Sequence, residues 1–264
     1  GIAKNLLCGV TSVAHHGPDA ECAGAPIHVV SGTRSIHSPR LGRLSAMLIP
    51  ERRIVVAHVG EGIGLDAERE IDTFTRWNVW RKRIIGVHAI AMRADQAKRF
   101  AALVWCPVSN EFLFGRTAPM ARLKQHTSIL FGTDSTLTAP WNLWDHLRRA
   151  REHGELSDDE LIAAVTTNAA QTWNLSNRGR IAVGAAADIV VMRRRHTDQR
   201  EAFFATNPED ILLVMKNGDV VLLDASLRGQ CAAEANLFPL VVNGVEKFTA
   251  DNYRDLARAL RSLL

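Results

Sequence analysis

The chain has 264 residues, of which 47% are hydrophobic, and a formal net charge of +4. This length suits one domain of barrel size or a domain with an appendage, with a substantial core. Because no apolar run approaches a membrane span and the arginines are not interleaved with a set of aromatics, we expect neither a membrane nor a nucleic-acid partner. The four cysteines are far apart without a C-x-x-C pair, which excludes a disulfide scaffold and a zinc ribbon and favours the cytoplasm.

The first residues have an unusual pattern for the start of a chain. The sequence begins with Gly1 instead of methionine, and residues 2–7 have the pattern of the end of a helix. A short apolar strand over residues 9–13 follows at once. No signal-peptide pattern is present. We therefore expect the chain to start partway into a fold.

Short apolar strands then alternate with helical patterns. Strands are predicted at residues 26–30, 35–38, 54–58, 84–88, 102–106 and 128–132, and helices at 41–48, 66–83, 94–101, 120–126, 141–153 and from 157 onwards. The last helix opens with a capping box, in which Ser157 is the N-cap and Glu160 the third helical residue. Tryptophans at helical spacing are expected in the core (Trp77, Trp80, Trp141, Trp144). Repeated strand–helix units predict a parallel sheet or barrel.

Three of these strands end in residues that can bind a metal or carry protons. The strand at 54–58 ends in His58, with Glu61 three residues later, the next ends in His88, and a third is followed by Asp134. One such histidine is usually a satisfied core residue. Three strands in order favour one shared site, because parallel strands present their C-terminal residues at the same edge.

The pattern changes near Gly179, where short β-strands replace the strand–helix units. Asn217-Gly218 predicts a type I′ hairpin, and Asn243-Gly244 a second hairpin or turn. A terminal amphipathic helix is predicted over residues 253–263. The chain is therefore predicted to consist of a barrel domain over residues 1–178 and a β-rich appendage over 179–264.

Several motifs in this order resemble the metal-dependent amidohydrolase superfamily, in the branch of S-adenosylhomocysteine, guanine and cytosine deaminases and triazine hydrolases. They are G-V-T-S-V at 9–13, H-V-G-E at 58–61, His88 at a strand end, C-P-V-S-N at 106–110, G-T-D-S at 132–135 and the segment 179–190 ending in A-D-I-V. The resemblance implies an α/β fold, a TIM-type (β/α) barrel, with a small C-terminal β-sandwich.

The resemblance also implies that the protein hydrolyses a C–N or C–Cl bond of a heterocyclic or amide small molecule, as a deaminase or dechlorinase does. It further implies a role in this reaction for individual residues. His58 and Asp134 would ligate one divalent metal, zinc in preference to iron, and Asp134 would also accept a proton from the attacking water. Glu61 would protonate the ring nitrogen or carry protons to the leaving group. His88 would hydrogen-bond the attacking water or the tetrahedral oxyanion.

Three further residues are candidates for substrate binding. His37 could face the substrate, although a loop histidine is an equal alternative. Ser109 and Asn110 are expected to shape a loop beside the site. We also expect a homo-oligomer, since an incomplete barrel would leave the strand at 9–13 with an unpaired edge.

Two departures from the superfamily pattern leave other functions open. The chain contains no H-x-H, the motif that supplies two more metal ligands in the family, and only about 40 residues separate Ala14 from Ile54. Two strand–helix units normally take about 30 residues each. We therefore expect a barrel that is incomplete at its N-terminus and whose activity is in doubt. The alternatives are a non-catalytic amidohydrolase-like barrel with a small-molecule binding role, or a metal-independent binder that uses the same pocket.

Overall fold

The computed structural model describes residues 1–15, 24–39, 47–50, 53–230 and 236–253. Its helices are α1 (Ile2–Leu7), α2 (Leu65–Arg76), α3 (Ala94–Ala97), α4 (Pro107–Phe114), α5 (Met120–Leu123), α6 (Leu143–His153), α7 (Asp158–Val165), α8 (Thr167–Thr172) and α9 (Gln199–Phe204). Its strands are β1 (Ser12–Ala14), β2 (His28–Val30), β3 (Arg34–Ile36), β4 (Val55–Val59), β5 (Ile84–His88), β6 (Ala102–Trp105), β7 (Ser128–Phe131), β8 (Ile189–Met192), β9 (Ile211–Lys216), β10 (Asp219–Asp224), β11 (Phe238–Val242) and β12 (Val245–Thr249). Most of the predicted helix at 41–48 and of the predicted terminal helix lies outside the described residues.

The chain forms two compact units. One comprises residues 1–31, 142–144 and 180–264, and the other comprises 32–141 and 145–179. The first therefore includes the N-terminal residues, which the sequence division into 1–178 and 179–264 assigns to the barrel. That division stays a prediction.

The second unit contains a five-stranded sheet in the order β3-β4-β5-β6-β7. Every neighbouring pair in it is parallel, as the strand–helix pattern predicts. The central strands are buried because their side chains are apolar on both faces; Val55, Ile85 and Leu103 are fully buried. Within the described residues the sheet does not close into a barrel.

Helix α2 is shorter than predicted. It ends at Arg76, and a turn follows in which Asn78 and Lys82 exchange two side-chain-to-backbone hydrogen bonds of 2.9 and 2.8 Å. Trp77 and Trp80 therefore lie beyond the helix and are 40% and 55% exposed. The prediction that they belong to the core was wrong, because the periodic pattern continues past the point where this turn ends the helix.

The segment after β6 is a helix, not the predicted loop. Pro107 ends β6 but also begins α4, since proline at the first helical position gives up only a backbone donor that would have no partner there. Gly115 ends the helix in the left-handed conformation, with φ of 67°. Ser109 and Asn110 consequently lie in the first turn of α4 and are buried.

The capping box at the start of α7 is confirmed. The Ser157 hydroxyl accepts from the Glu160 backbone at 3.3 Å, and the Glu160 carboxylate accepts from the Ser157 backbone at 2.7 Å. The helix is interrupted at Thr166, where φ is −128°, so that α7 and α8 replace the single predicted helix.

The first unit contains a parallel pair, β1-β2, and a five-stranded antiparallel sheet in the order β11-β12-β10-β9-β8. Both Asn-Gly hairpins are present: φ is positive at Asn217 and Gly218 between β9 and β10, and at Asn243 and Gly244 between β11 and β12. The first of the β-strands expected after Gly179 begins only at Ile189, as β8. Among the described residues, no helix combines the length and apolar character that crossing a bilayer requires.

Candidate metal centre

Two neighbouring strands place imidazole rings at one edge of the parallel sheet. His58 is the penultimate residue of β4 and His88 the last of β5, with Val59 opposite His88 in the register. Their ring centroids are 5.0 Å apart, at an interplanar angle of 67°. The rings meet because the two parallel strands end at the same edge of the sheet.

Glu61 completes a group of three residues that could hold a metal ion. One ligand atom each from His58, Glu61 and His88 lies within 4.8 Å of the others. The Glu61 carboxylate lies 3.9 Å from His58 Nδ1 and 3.7 Å from His88 Nε2. These separations are too long for hydrogen bonds but near the roughly 3.4 Å between two ligands of a tetrahedral zinc ion. Imidazole nitrogen and carboxylate oxygen are also donors that zinc accepts, so the residues present fit a divalent metal.

A tight turn brings Glu61 back toward the sheet edge. Gly60 has φ of 58°, and its carbonyl accepts hydrogen bonds from the backbone of Gly62 at 3.0 Å and of Ala91 at 3.1 Å. A Cβ at Gly60 would lie 2.8 Å from Ile71 Cδ1, so both its conformation and its packing require glycine. The bond to Ala91 joins the loop after β4 to the loop after β5.

His88 is buried and is held by Asn110. Its Nδ1 lies 2.8 Å from Asn110 Oδ1, and the Asn110 amide nitrogen lies 3.3 Å from Thr117 Oγ1. Because the amide nitrogen faces other acceptors, Oδ1 accepts from Nδ1–H of His88, which leaves Nε2 directed at Glu61. His88 also has φ of 72° and Ala89 φ of 55°, backbone conformations that are uncommon outside glycine.

Asp134 follows β7 at the same edge, but it does not belong to the group of three within the described residues. The Ser109 hydroxyl donates a short hydrogen bond to Asp134 Oδ2, and Thr138 Oγ1 lies 3.4 Å from that oxygen. Burial acts to raise the pKa of the Asp134 carboxyl, but the Ser109 hydrogen bond and the charges of His88 and His58 outweigh it and lower the pKa. Asp134 therefore interacts with both histidines, and its role as a ligand beside His58 stays a prediction.

His37 lies in the same site. It follows β3, next to β4, and its Nδ1 is 3.3 Å from His58 Nδ1, with the ring centroids 5.1 Å apart. Its side chain is exposed. The structure therefore brings all seven candidate residues to one sheet edge, where Ser109 and Asn110 contact Asp134 and His88. The substrate-binding roles of His37, Ser109 and Asn110 stay predictions.

The sequence reasoning missed two hydroxyl residues. Thr117 bonds to Asn110 and also accepts from Trp105 Nε1 at 2.7 Å, and Thr138 Oγ1 lies 3.0 Å from Ser109 Oγ. Both lie in connecting segments without a distinctive motif. They belong to the site only because they lie beside α4 and contact Ser109 and Asn110.

Comparison with known proteins identifies a family that matches most of the chain. The model of the amidohydrolase family matches residues 51–221. A curated 5-methylthioadenosine/S-adenosylhomocysteine deaminase from Caldicellulosiruptor saccharolyticus is 25% identical over 148 residues. This match covers 50% of the chain and 34% of the deaminase, so the chain spans about a third of that relative's length.

Solved structures share the fold at low sequence identity. The atrazine chlorohydrolase of Arthrobacter aurescens, complexed with zinc, aligns with a TM-score of 0.56 at 20% identity, covering 75% of this chain and 51% of that chain. The N-isopropylammelide isopropylaminohydrolase of Burkholderia multivorans aligns with a TM-score of 0.61 at 15% identity, covering 83% and 73%. With the family model matching well over half of its residues, the chain belongs to the amidohydrolase family.

Proposed function

We propose that this protein hydrolyses a C–N or C–Cl bond of a nitrogen heterocycle with one divalent metal, zinc in preference to iron. The observation that carries the proposal is the convergence of His58, Glu61 and His88 within 4.8 Å at the C-terminal edge of a parallel sheet, in a chain of the amidohydrolase family. The names of the similar deaminase and chlorohydrolase support this substrate class. We also infer that the sheet belongs to a TIM-type barrel.

His58 and Asp134 are the proposed ligands. The lowered pKa of Asp134 keeps its carboxylate ionised at neutral pH, and carboxylate oxygen and imidazole nitrogen are donors that divalent zinc accepts. A bound divalent metal supplies Lewis acidity and lowers the pKa of water toward roughly 7. Ser109 orients the Asp134 carboxylate by its hydrogen bond to Oδ2.

Glu61 and His88 would handle the protons. Hydrolytic deamination removes a proton from water, which Asp134 would accept, and delivers one to the ring or departing nitrogen, a step for which the Glu61 carboxyl is the proposed acid. Glu61 is partly exposed, at 30%, whereas His88 is almost fully buried, at 1%. We therefore assign the proton delivery to Glu61, and to His88 a hydrogen bond from the attacking water to its unprotonated Nε2 or, once Nε2 is protonated, a hydrogen bond to the oxyanion.

The test is release of product from the two substrate classes. The chain is loaded with Zn²⁺ and incubated with 5-methylthioadenosine, with ammonia measured, and with atrazine, with chloride measured. We expect metal-dependent release of at least one product that a chelator abolishes. Glu61→Gln should lower turnover by about 10²–10⁴-fold. The exposed Glu246 of β12 provides the matched control, because Glu246→Gln leaves the site untouched.

Stoichiometric metal binding without release of ammonia or chloride would favour the non-catalytic alternative. Equal turnover with and without metal would reject the proposed chemistry. A Glu61→Gln variant with full activity would remove Glu61 from the mechanism.

A further inference from the structure

A cleft of about 590 Å³ lies on the loops that follow the strands of the candidate site, and nothing in the proposed reaction uses it. We name it the arginine cleft; its lining includes Ile63, Leu65, Ile90, Met92, Arg116 and Arg122. The loop after β4 contributes Ile63 two residues beyond Glu61, and the loop after β5 contributes Ile90 two residues beyond His88. Its size is within the range of small-molecule sites, roughly 300–1,000 Å³.

The floor of the cleft is apolar. Ile90, Met92 and Leu123 line it and are at most 4% exposed, so their side chains are fixed by packing. Ile63 and Leu65 at its rim are 64% and 65% exposed, which is unusual for two large aliphatic residues so close together. An occupant with an apolar body would remove both from water.

The lining of the cleft carries more positive than negative charge. The charged residues that line the cleft are three arginines and one glutamate, a surplus of two positive charges. Arg93 already holds this glutamate, Glu68, at 2.6 Å, and also Asp72 at 3.3 Å and Asp95 at 3.0 Å.

The other two arginines have no such partners. The guanidinium groups of Arg116 and Arg122 form no ion pair or hydrogen bond with any residue that the structure describes, and both side chains are exposed. Arg93, and Arg99, which pairs with Asp72 at 3.2 Å, offset two of the three nearby carboxylate charges, so these four arginines and three carboxylates leave a surplus of one positive charge.

We propose that the arginine cleft binds an organic anion with an apolar body, with Arg116 and Arg122 holding the anionic group and the Ile90–Met92–Leu123 floor receiving the apolar part. Guanidinium groups pair with carboxylate or phosphate oxygens through charge-assisted hydrogen bonds, often two at once. This binding is separate from the hydrolytic reaction, because no residue of the metal centre lines the cleft.

The experiment measures binding directly on chelator-treated protein, so that neither turnover nor a metal contributes. The probes are 2-naphthoate, its neutral isostere 2-naphthamide, and inorganic phosphate, each titrated by calorimetry. We expect 2-naphthoate to bind at least tenfold more tightly than the amide or phosphate, because only the naphthoate satisfies both the floor and the arginines. Higher salt should weaken naphthoate binding and leave the amide unchanged.

Substitutions of the two arginines test whether naphthoate binds in the arginine cleft. Arg116→Gln and Arg122→Gln should each weaken naphthoate binding by about tenfold, the value of a charge-assisted hydrogen bond, without affecting the amide. Arg76→Gln is the control, since Arg76 is exposed and does not line the cleft. Three outcomes would each overturn the proposal. They are equal binding of the acid and the amide, binding that neither cleft arginine affects, and no binding at millimolar naphthoate. Loss of hydrolytic activity would not affect it.

Discussion

Asn110 Oδ1 accepts a hydrogen bond from His88 Nδ1 at 2.8 Å, and both side chains are buried. This bond fixes which ring nitrogen of His88 carries the proton and directs Nε2 toward Glu61. The first turn of α4 therefore determines the chemistry of the last residue of β5. A partner of this kind is as much a part of a metal site as the residues that face the ion.

If His88 Nε2 also ligates the metal, as its place in the group of three allows, Asn110→Ala should lower the affinity of the site for zinc by about 10–100-fold, because the His88 ring loses its fixed orientation. Zinc affinity is measured by competition with a chromophoric chelator. Gln171→Ala, an exposed amide on α8, is the control and should bind zinc as the unmodified protein does. Unchanged affinity in Asn110→Ala would show that the bond has no part in metal binding.

Comparing the zinc content of His58→Ala and Glu61→Gln should show which residue is a metal ligand and which is a proton carrier. We expect His58→Ala to lose bound zinc, because the proposed ligand nitrogen is removed. Glu61→Gln should retain nearly all of it, because Glu61 is assigned to proton transfer. Metal content after desalting, measured by atomic emission, decides between the roles. Equal metal loss in the two variants would make Glu61 a ligand, an outcome that its inclusion in the group of three makes worth testing.

Gly86 occupies a point in β5 where no side chain fits. A Cβ there would lie 2.8 Å from Val59 Cγ2 and 3.0 Å from both Leu103 Cδ2 and Phe100 Cδ1. Gly86→Ala should lower the free energy of unfolding by about 1–3 kcal/mol, the usual cost of overpacking a core. Urea denaturation measures the change. Gly64→Ser is the control, since a Cβ at Gly64 meets no atom within 4 Å and serine is a favoured N-cap.

A buried ion pair links β10 and β12. The Lys247 ammonium is fully buried and donates to Asp224 Oδ2 at 3.0 Å and to the carbonyls of Glu209 at 3.1 Å and Ile211 at 2.7 Å. Asp224→Asn would leave the cation without its counter-charge and should destabilise the protein by about 3–5 kcal/mol. Asp219→Asn, an exposed carboxylate on the same strand, should have little effect in the same denaturation experiment.

The same pair predicts a pH dependence. Burial acts to raise the pKa of the Asp224 carboxyl, but hydrogen bonds from Ser226 and the Lys247 ammonium outweigh it and lower the pKa. A lowered pKa in the folded state contributes stability that is complete above the unfolded value of about 3.9 and is lost as the pH falls through the folded value. The stability difference between the unmodified protein and Asp224→Asn should therefore be constant near neutral pH and decrease below about pH 4. A difference that increases toward acid would contradict this assignment.

The sequence by itself determined where the parallel strands lie along the chain and which residues stand at their ends. The strands ending at His58 and His88, and the one before Asp134, are runs of apolar, mostly β-branched or aromatic residues, and such runs form buried strands largely through local preference and burial. The two Asn-Gly turns and the Ser157 cap were predictable for the same reason, because each depends on the conformation or hydrogen bonds of two to four adjacent residues.

Only the tertiary structure decided which side chains meet. Glu61 joins the two histidines because the Gly60 carbonyl accepts from Ala91, 31 residues later in the chain. Thr117 and Thr138 contribute to the site only through contacts with α4. The arginine cleft likewise depends on tertiary contacts, because Arg93 engages three carboxylates from two helices, whereas Arg116 and Arg122 pair with no described residue. Such contacts join residues distant in sequence, and neither periodicity nor motif spacing encodes the distance between them.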